Sequence, residues 1–438
     1  MTPARSTVSL PYGDSEQTAE LPDGWILDLI APAGPGDLPD PEGALRQALD
    51  HPIGSLPLAA RLPRAGRVLL MLSDHTRKDG KRMLVPLLLN YCKEQGLRPE
   101  QIDIMFCLGL HRRATDTEIA AVLPAEVLRS HRWFQHDPDG PVRSLGETSR
   151  QTPIAFNTQL WNYQLLVPIA GVSHHYFAGF GGGKKMLAPG SASRAAIQKS
   201  HELVFRPPAE GGGRRPGVEP GRLTGNAVSE DLAEAARRID IPIFSLSLIR
   251  GSTDGAFAEF WAGDLFGAHQ AACQAYLGWR SYPVTQAFDL VLSASGGYPL
   301  DTNLVQAHKG LDNAFRLVDH EHGAIIHLAQ CRDGLGGEAM AEWIGVPTLA
   351  ALEQRLRDRY VINGQTVYAL KEKSTAMPIT LVSELPQSTV RQLGMIPAAT
   401  LSEALAQVIP CLPENHRTAF FPDAGSILPV RGPPAPRC

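Results

Sequence analysis

Four short runs in this chain place reactive side chains directly after apolar stretches. They are Ser73-Asp74-His75-Thr76-Arg77 after RVLLML, His111-Arg112-Arg113 after IDIMFCLGL, His174 to Lys185 (HHYFAGFGGGKK) after LLVPIAGVS, and Gly296 to Asp301 (GGYPLD) after LVLSAS. Imidazole exchanges a proton near neutrality, so His111 and His175, at equivalent positions, are candidates for a proton-transfer pair. In the third run, consecutive glycines let backbone pass close to a bulky ligand, and Lys184 and Lys185 supply amines beside it. The run is not a nucleotide P-loop, because G-x-x-x-x-G-K-[ST] fails at Ala178 and at Lys185. A solvated turn is the plain alternative, yet two histidines and several large apolar groups crowd a segment that needs none of them to turn.

Other polar positions are weaker on their own. His201, in SRAAIQKSHELVF, reads alone as a helix-surface residue. Gln306 and Lys309 are three apart on one helix face, so both could reach a carboxylate, although alone they suit a solvated face. His320-Glu321-His322-Gly323 reads as a turn before a strand, not a metal patch. Gly334 to Ala339 (GLGGEA) matches G-x-G-x-x-A, but no strand ending in an acidic residue follows at the distance that ribose recognition requires, so it reads as a strand-to-helix turn.

The elements that must hold these residues alternate between strand and helix. Arg67 to Leu72, Ile102 to Leu108, Leu165 to Ala170, Leu290 to Ala294 and Ala324 to Leu328 are short aliphatic runs of the buried-strand type. Helix-like stretches lie between them, one opened by the capping box Thr115-Asp116-Thr117-Glu118. This alternation predicts parallel sheets covered on both faces, with ligands beyond the carboxyl ends of the strands. A boundary falls near Trp279 to Val284, giving an N-terminal α/β domain over 1–280 and a C-terminal α/β domain over 281–438, with the active site in the cleft between them. Arg206 to Gly225 is rich in Gly, Pro and Arg and predicts a long, mobile surface loop.

Composition narrows the partners. There are 41 Lys+Arg against 45 Asp+Glu, a net charge of −4, with no basic block that would follow a phosphate backbone, so nucleic acid is not expected. No apolar run approaches a membrane span and no leader is recognisable, which points to the cytoplasm. The 6 cysteines are scattered without C-x-x-C, so neither a disulfide framework nor a thiolate metal knuckle is expected.

Taken together, Ser73-Asp74-His75-Thr76-Arg77, Gly109-Leu110-His111-Arg112, and His175 through Lys185 with Pro189-Gly190 resemble the nickel-dependent lactate racemase family. The resemblance extends from Leu10-Pro11-Tyr12-Gly13 through His201, Gly225-Asn226 and Gly263-Asp264 to Gly296-Gly297-x-Pro299-x-Asp301, Gln306 and Lys309. It implies a nickel-pincer nucleotide, the Ni(II) complex of pyridinium-3,5-bisthiocarboxylic acid mononucleotide, covalently attached at Lys185 with His201 as metal ligand. Asp74, His75, Thr76 and Arg77 would line that cofactor, and Gln306 and Lys309 would hold the substrate carboxylate. His111 and His175 would act as acid and base, with Arg77 orienting a 2-hydroxy acid whose Cα hydride is removed and returned on the opposite face. Partners would be that small substrate and the enzymes that make the cofactor.

The chain departs from the family pattern in three places. Val305 stands where an aromatic usually precedes the glutamine, Lys78-Asp79-Gly80 where proline commonly follows the DHTR run, and Gly181 where serine is usual. A 2-hydroxy acid other than lactate is therefore plausible. Two alternatives compete: a zinc-dependent hydrolase using His111, His175 and His201, which leaves Lys185 and the glycines unexplained, and a non-catalytic cofactor-binding homologue, which leaves the paired histidines unexplained.

Overall fold

The strand Val68–Ser73 is buried at every position, as a strand in a sheet covered on both faces must be. It pairs in parallel with Ile102–Cys107 on one side and Leu165–Gly171 on the other. The computed structural model describes the chain outside residues 1–6, 23, 32, 33, 35, 78, 254, 362 and 432–438, and describes 338, 339 and 431 without their side chains. Across the first six-stranded sheet the order is Phe257–Gly263, Ser245–Arg250, Leu165–Gly171, Val68–Ser73, Ile102–Cys107, Trp133–Gln135. Its neighbours are parallel except at the Phe257–Gly263 edge. Chain order runs outward from Val68–Ser73 to Trp133–Gln135 and then returns to the other side at Leu165–Gly171. At such a reversal the loops beyond the carboxyl ends diverge and leave a crevice. The runs containing Asp74, His111 and His175 all leave the sheet at this end.

The second six-stranded sheet is wholly parallel, in the order Ile396–Ala398, Ile379–Val382, Ala324–Leu328, Leu290–Ala294, Thr418–Phe421, Leu27–Leu29. The five strands expected from sequence are present within one residue at each end. The Thr115 and Glu118 capping box opens the helix Asp116–Val122. His320 to His322 lie in a turn, and Gly334 to Gly337 connect a strand to the helix Glu338–Ile344. Among the described residues no helix is long and apolar enough to cross a membrane.

The chain divides into Gly34–Trp279 and a unit that joins the described residues before Gly34 to those from Arg280 onward. The expected 1–280 and 281–438 division therefore misassigns the N-terminal segment. The reason is packing: the hairpin Thr7–Tyr12 with Ser15–Glu20 contributes Val8, Leu10, Tyr12 and Ala19 to the core around Leu290, Leu292 and Ile326. Leu27–Leu29 completes the sheet edge beside Thr418–Phe421, and the Gly13 N–H donates to Asp301 Oδ2 at 2.7 Å.

Leu10 is 0% exposed. Leu10→Ala should cost about 2–5 kcal/mol, and the loss should fall on the unit containing Leu290–Ala294. Hydrogen exchange of that strand's amides, compared with those of Val68–Ser73, checks both the size and the location.

Candidate active site

Asp74 is the first residue past the strand Val68–Ser73 and is 4% exposed. Its Oδ2 accepts from His111 Nδ1 at 2.8 Å, and its Oδ1 accepts from both the backbone N–H of Thr76, at 2.7 Å, and the Thr76 hydroxyl. Arg77 Nε stands 3.8 Å from Oδ2. Burial works to raise the Asp74 carboxyl's pKa, but the His111 hydrogen bond and the charges of His111 and Arg77 hold it well below the ordinary carboxylate range. An ionised carboxylate can only accept, so His111 donates its Nδ1–H and the neutral ring keeps its lone pair on Nε2. With a side chain 47% exposed, His111 offers that nitrogen as a base.

The rest of this run is held by its own contacts. Thr76, expected to line a cofactor, donates its hydroxyl to Asp74 instead. His75 has Nε2 3.3 Å from Glu118 Oε1, the carboxylate that also binds Arg112. Lys78 lies outside the described residues. Asp79 forms a buried network that the sequence did not disclose: Lys81 Nζ donates to Asp79 Oδ1 at 2.6 Å, to Ser73 Oγ at 2.9 Å and to the Arg77 carbonyl at 2.8 Å, while Ser73 donates to Asp79 Oδ2. A buried ammonium needs such a full set of acceptors, and this one fixes both ends of the Asp74–Arg77 turn.

Phe177 gathers the second group. Its buried ring meets His175 at 4.5 Å and His201 at 4.9 Å, both edge to face, and Lys185 Nζ stands 5.8 Å from its centre. The ring nitrogen Nδ1 of His175 accepts from the Ala178 N–H at 3.2 Å. The neutral form of His175 therefore carries its hydrogen on Nε2, the tautomer opposite to that of His111. His201 sits near the end of the helix Arg194–Glu202, which Ser193 caps by accepting from the Ala196 N–H. Burial, then the neighbouring charges of Lys185 and His111, push its pKa down to about 3. It is a neutral nitrogen donor, the form that binds a metal.

The two adjacent lysines part company. Lys184 turns inward and is 6% exposed, and burial pushes its pKa down to about 8 beside Cys273 and Arg237. Lys185 remains with Phe177 and His201. Among the glycines, Gly183 has a packing role within the protein. Gly183 has φ +52°, and a Cβ there would fall 2.3 Å from the His269 ring. His269 donates from Nε2 to the Gly181 carbonyl at 2.9 Å, holding the turn from within the protein.

Gln306 and Lys309 belong to the other unit, on the helix Leu304–Ala314, whose cap Asn303 accepts from the Gln306 N–H. Lys309 Nζ donates to Gln306 Oε1 at 2.7 Å. With the amide oxygen so engaged, the pair presents donors, the amide hydrogens of Gln306 and the ammonium. The N–H groups of Leu304 and Val305 donate to the carbonyls of Gly334 and Leu335, so the GLGGEA turn pins the start of this helix.

Sequence reasoning singled out the histidines and Lys185; the contacts of Asp79, Lys81, Phe177 and His269 around them were not read from sequence. Among the described residues, no three His, Cys, Asp or Glu side chains are grouped as metal ligands, so a three-histidine zinc centre lacks its cluster.

Comparison with known proteins agrees with this geometry. The lactate racemase N-terminal domain matches residues 12–213 and the lactate racemase C-terminal domain matches residues 284–428. A lactate racemase of Thermoanaerobacterium thermosaccharolyticum is 26% identical over 433 residues, covering 97% of this chain and 99% of that protein. One of Lactiplantibacillus plantarum is 29% identical over 337 residues, 76% of each chain. The solved lactate racemase apoprotein from T. thermosaccharolyticum superposes with a TM-score of 0.86 at 25% identity, covering 97% of this chain and 100% of that one. With both domain types in order and the fold shared over nearly its whole length, the chain belongs to the lactate racemase family.

Proposed function

We propose that this racemase interconverts the enantiomers of a 2-hydroxy acid, with His111 taking and returning the hydroxyl proton, His175 donating a hydrogen bond to the same oxygen, and a nickel-pincer nucleotide held by Lys185 and His201. The observation that carries this reading is the meeting of His175, His201 and Lys185 around the single ring of Phe177. The donor set fits the group. Square-planar Ni(II) accepts an imidazole nitrogen readily, His201 is buried and neutral, and Lys185 brings a primary amine to the same apolar wall. When bound, the cofactor supplies a hydride acceptor and donor, which avoids a carbanion beside an ionised carboxylate.

The chain's own residues account for the rest. His111 accepts the hydroxyl proton at Nε2, and Asp74 stabilises the imidazolium that forms. His175 presents Nε2–H, and a neutral imidazole N–H polarises an oxo oxygen without introducing positive charge. His111 returns that proton from its imidazolium to the same oxygen, so the neutral His175 keeps its Nε2–H throughout and no imidazolate is required. Arg77 orients the substrate oxygen, and the donors of Gln306 and Lys309 suit its carboxylate. Val305, without an aromatic ring, leaves more room beside Gln306, which favours a 2-hydroxy acid larger than lactate. Among the described residues the cysteines form no disulfide, which suits the reducing cytoplasm.

Three measurements test this. In protein co-expressed with the cofactor-making enzymes, mass spectrometry of the peptide containing Lys185 should show a sulfur- and nickel-bearing adduct, and an unmodified Lys185 refutes the attachment. Asp74→Asn and His111→Ala should each lower kcat about 10²- to 10⁴-fold in loaded enzyme, and native rates in both exclude His111 as the base. Against a panel of chiral 2-hydroxy acids resolved by enantiomer-selective chromatography, acids with larger side chains should racemise faster than lactate, and Val305→Tyr should shift the preference toward lactate.

A further inference from the structure

The loop from Arg206 to Gly225 is irregular apart from the short turn Pro208–Glu210 and a bridge between Phe205 and Arg214. It is nevertheless anchored onto the segment that carries His175. The Gly221 N–H donates to the Gly179 carbonyl at 2.9 Å. Gly179 has φ +78°, and a Cβ there would lie 2.0 Å from the Arg222 carbonyl oxygen, so the two backbones touch. The loop ends in Asn226, which is 0% exposed. Its Oδ1 accepts from the Ser229 N–H at 3.1 Å and caps the helix Ala227–Arg237. Its Nδ2 donates to the Phe177 carbonyl at 2.9 Å, with the Arg222 and Glu219 carbonyls at 3.2 and 3.4 Å.

The Phe177 carbonyl and the Ala178 N–H are the two ends of one peptide group. A peptide is planar and its C=O and N–H point in opposite directions, so fixing the carbonyl fixes the hydrogen. That hydrogen is the one directed at His175 Nδ1. We infer that Asn226 is a positioning residue for proton transfer: through the Phe177–Ala178 peptide it holds the His175 ring with Nδ1 as acceptor and Nε2 protonated. The inference rests on the proposed role of His175. It also gives the long loop a purpose, because the Glu219 and Arg222 carbonyls share the same amide and orient it toward Phe177.

The test uses the full chain labelled with ¹⁵N-histidine, without cofactor, and reads the protonation of each ring nitrogen by long-range ¹H–¹⁵N correlation. The signals absent from His175→Ala identify His175. In the wild type its Nδ1 should be unprotonated and its Nε2 protonated. Asn226→Ser keeps a side-chain oxygen for the helix cap but cannot span to Phe177, so the His175 pattern should become a mixture of both tautomers. Asn226→Gly, a well-tolerated residue at a helix N-cap, should do the same. In loaded enzyme Asn226→Ser should lower kcat by about 10- to 100-fold with KM little changed. A protonated Nδ1 on His175 in the wild type overturns the inference whether or not the variants fold, and so does a wild-type pattern in either variant. If His175→Ala racemises at the native rate while the tautomer results hold, the function assigned to His175 fails and the relay from Asn226 stands.

Discussion

The buried, ionised carboxylate of Asp74 is the constraint on which the site depends. It sits where the central strand stops, at the point where the chain's outward progress across the sheet reverses. A charge in such a place is costly unless surrounded by donors and opposite charge, and the chain supplies Thr76 twice, His111 once, and Arg77 nearby. Meeting that demand curls the Asp74–Arg77 turn and sets the orientation of the His111 ring. The network of Lys81, Asp79 and Ser73 then makes the turn rigid from the other side. The conformation of that turn and the orientation of one imidazole are thus consequences of holding a single negative charge out of water.

The second histidine is governed by a different kind of contact. His175 faces a backbone N–H, which can only donate, where His111 faces an ionised carboxylate, which can only accept. The two rings are thereby held in opposite tautomers. The same sorting separates Lys184, drawn toward His269 and Cys273 in the interior, from Lys185, kept beside Phe177 and His201. Neighbours in sequence acquire different chemistry because a short 3-10 turn over Gly183–Met186 points them in different directions.

Much of this was legible in the residues alone. Runs such as LVLSA and AIIHL announce buried strands because they are short and mostly aliphatic, each with one polar residue, Ser293 and His327, that bond to each other in the core, and reactive residues directly after such runs point to a ligand-binding sheet end. What escaped the sequence was of two kinds. Long-range pairing was hidden, since nothing local marks Leu27–Leu29 as the neighbour of Thr418–Phe421. Positioning was hidden too: Asn226, Lys81 and His269 act through hydrogen bonds to backbone groups or, for Lys81, to Asp79 and Ser73, and no spacing rule reports such contacts. The glycines before Lys184 were read for a close approach, and one such approach is that of Gly183 to His269.

The interleaving of the two units bears on how the chain is made. Leu27–Leu29 emerges from the ribosome early, whereas Thr418–Phe421, which it pairs with, follows only after the whole of Gly34–Trp279 has been synthesised, a wait of roughly 20 to 80 s at about 5–20 residues per second. The hairpin bearing Val8 and Leu10 likewise waits for Leu290, Leu292 and Ile326, the core it enters, by which time the intervening unit has every strand of its own sheet. Assembly during translation is therefore staggered, and that hairpin is buried only after the unit that follows it in the chain has been made.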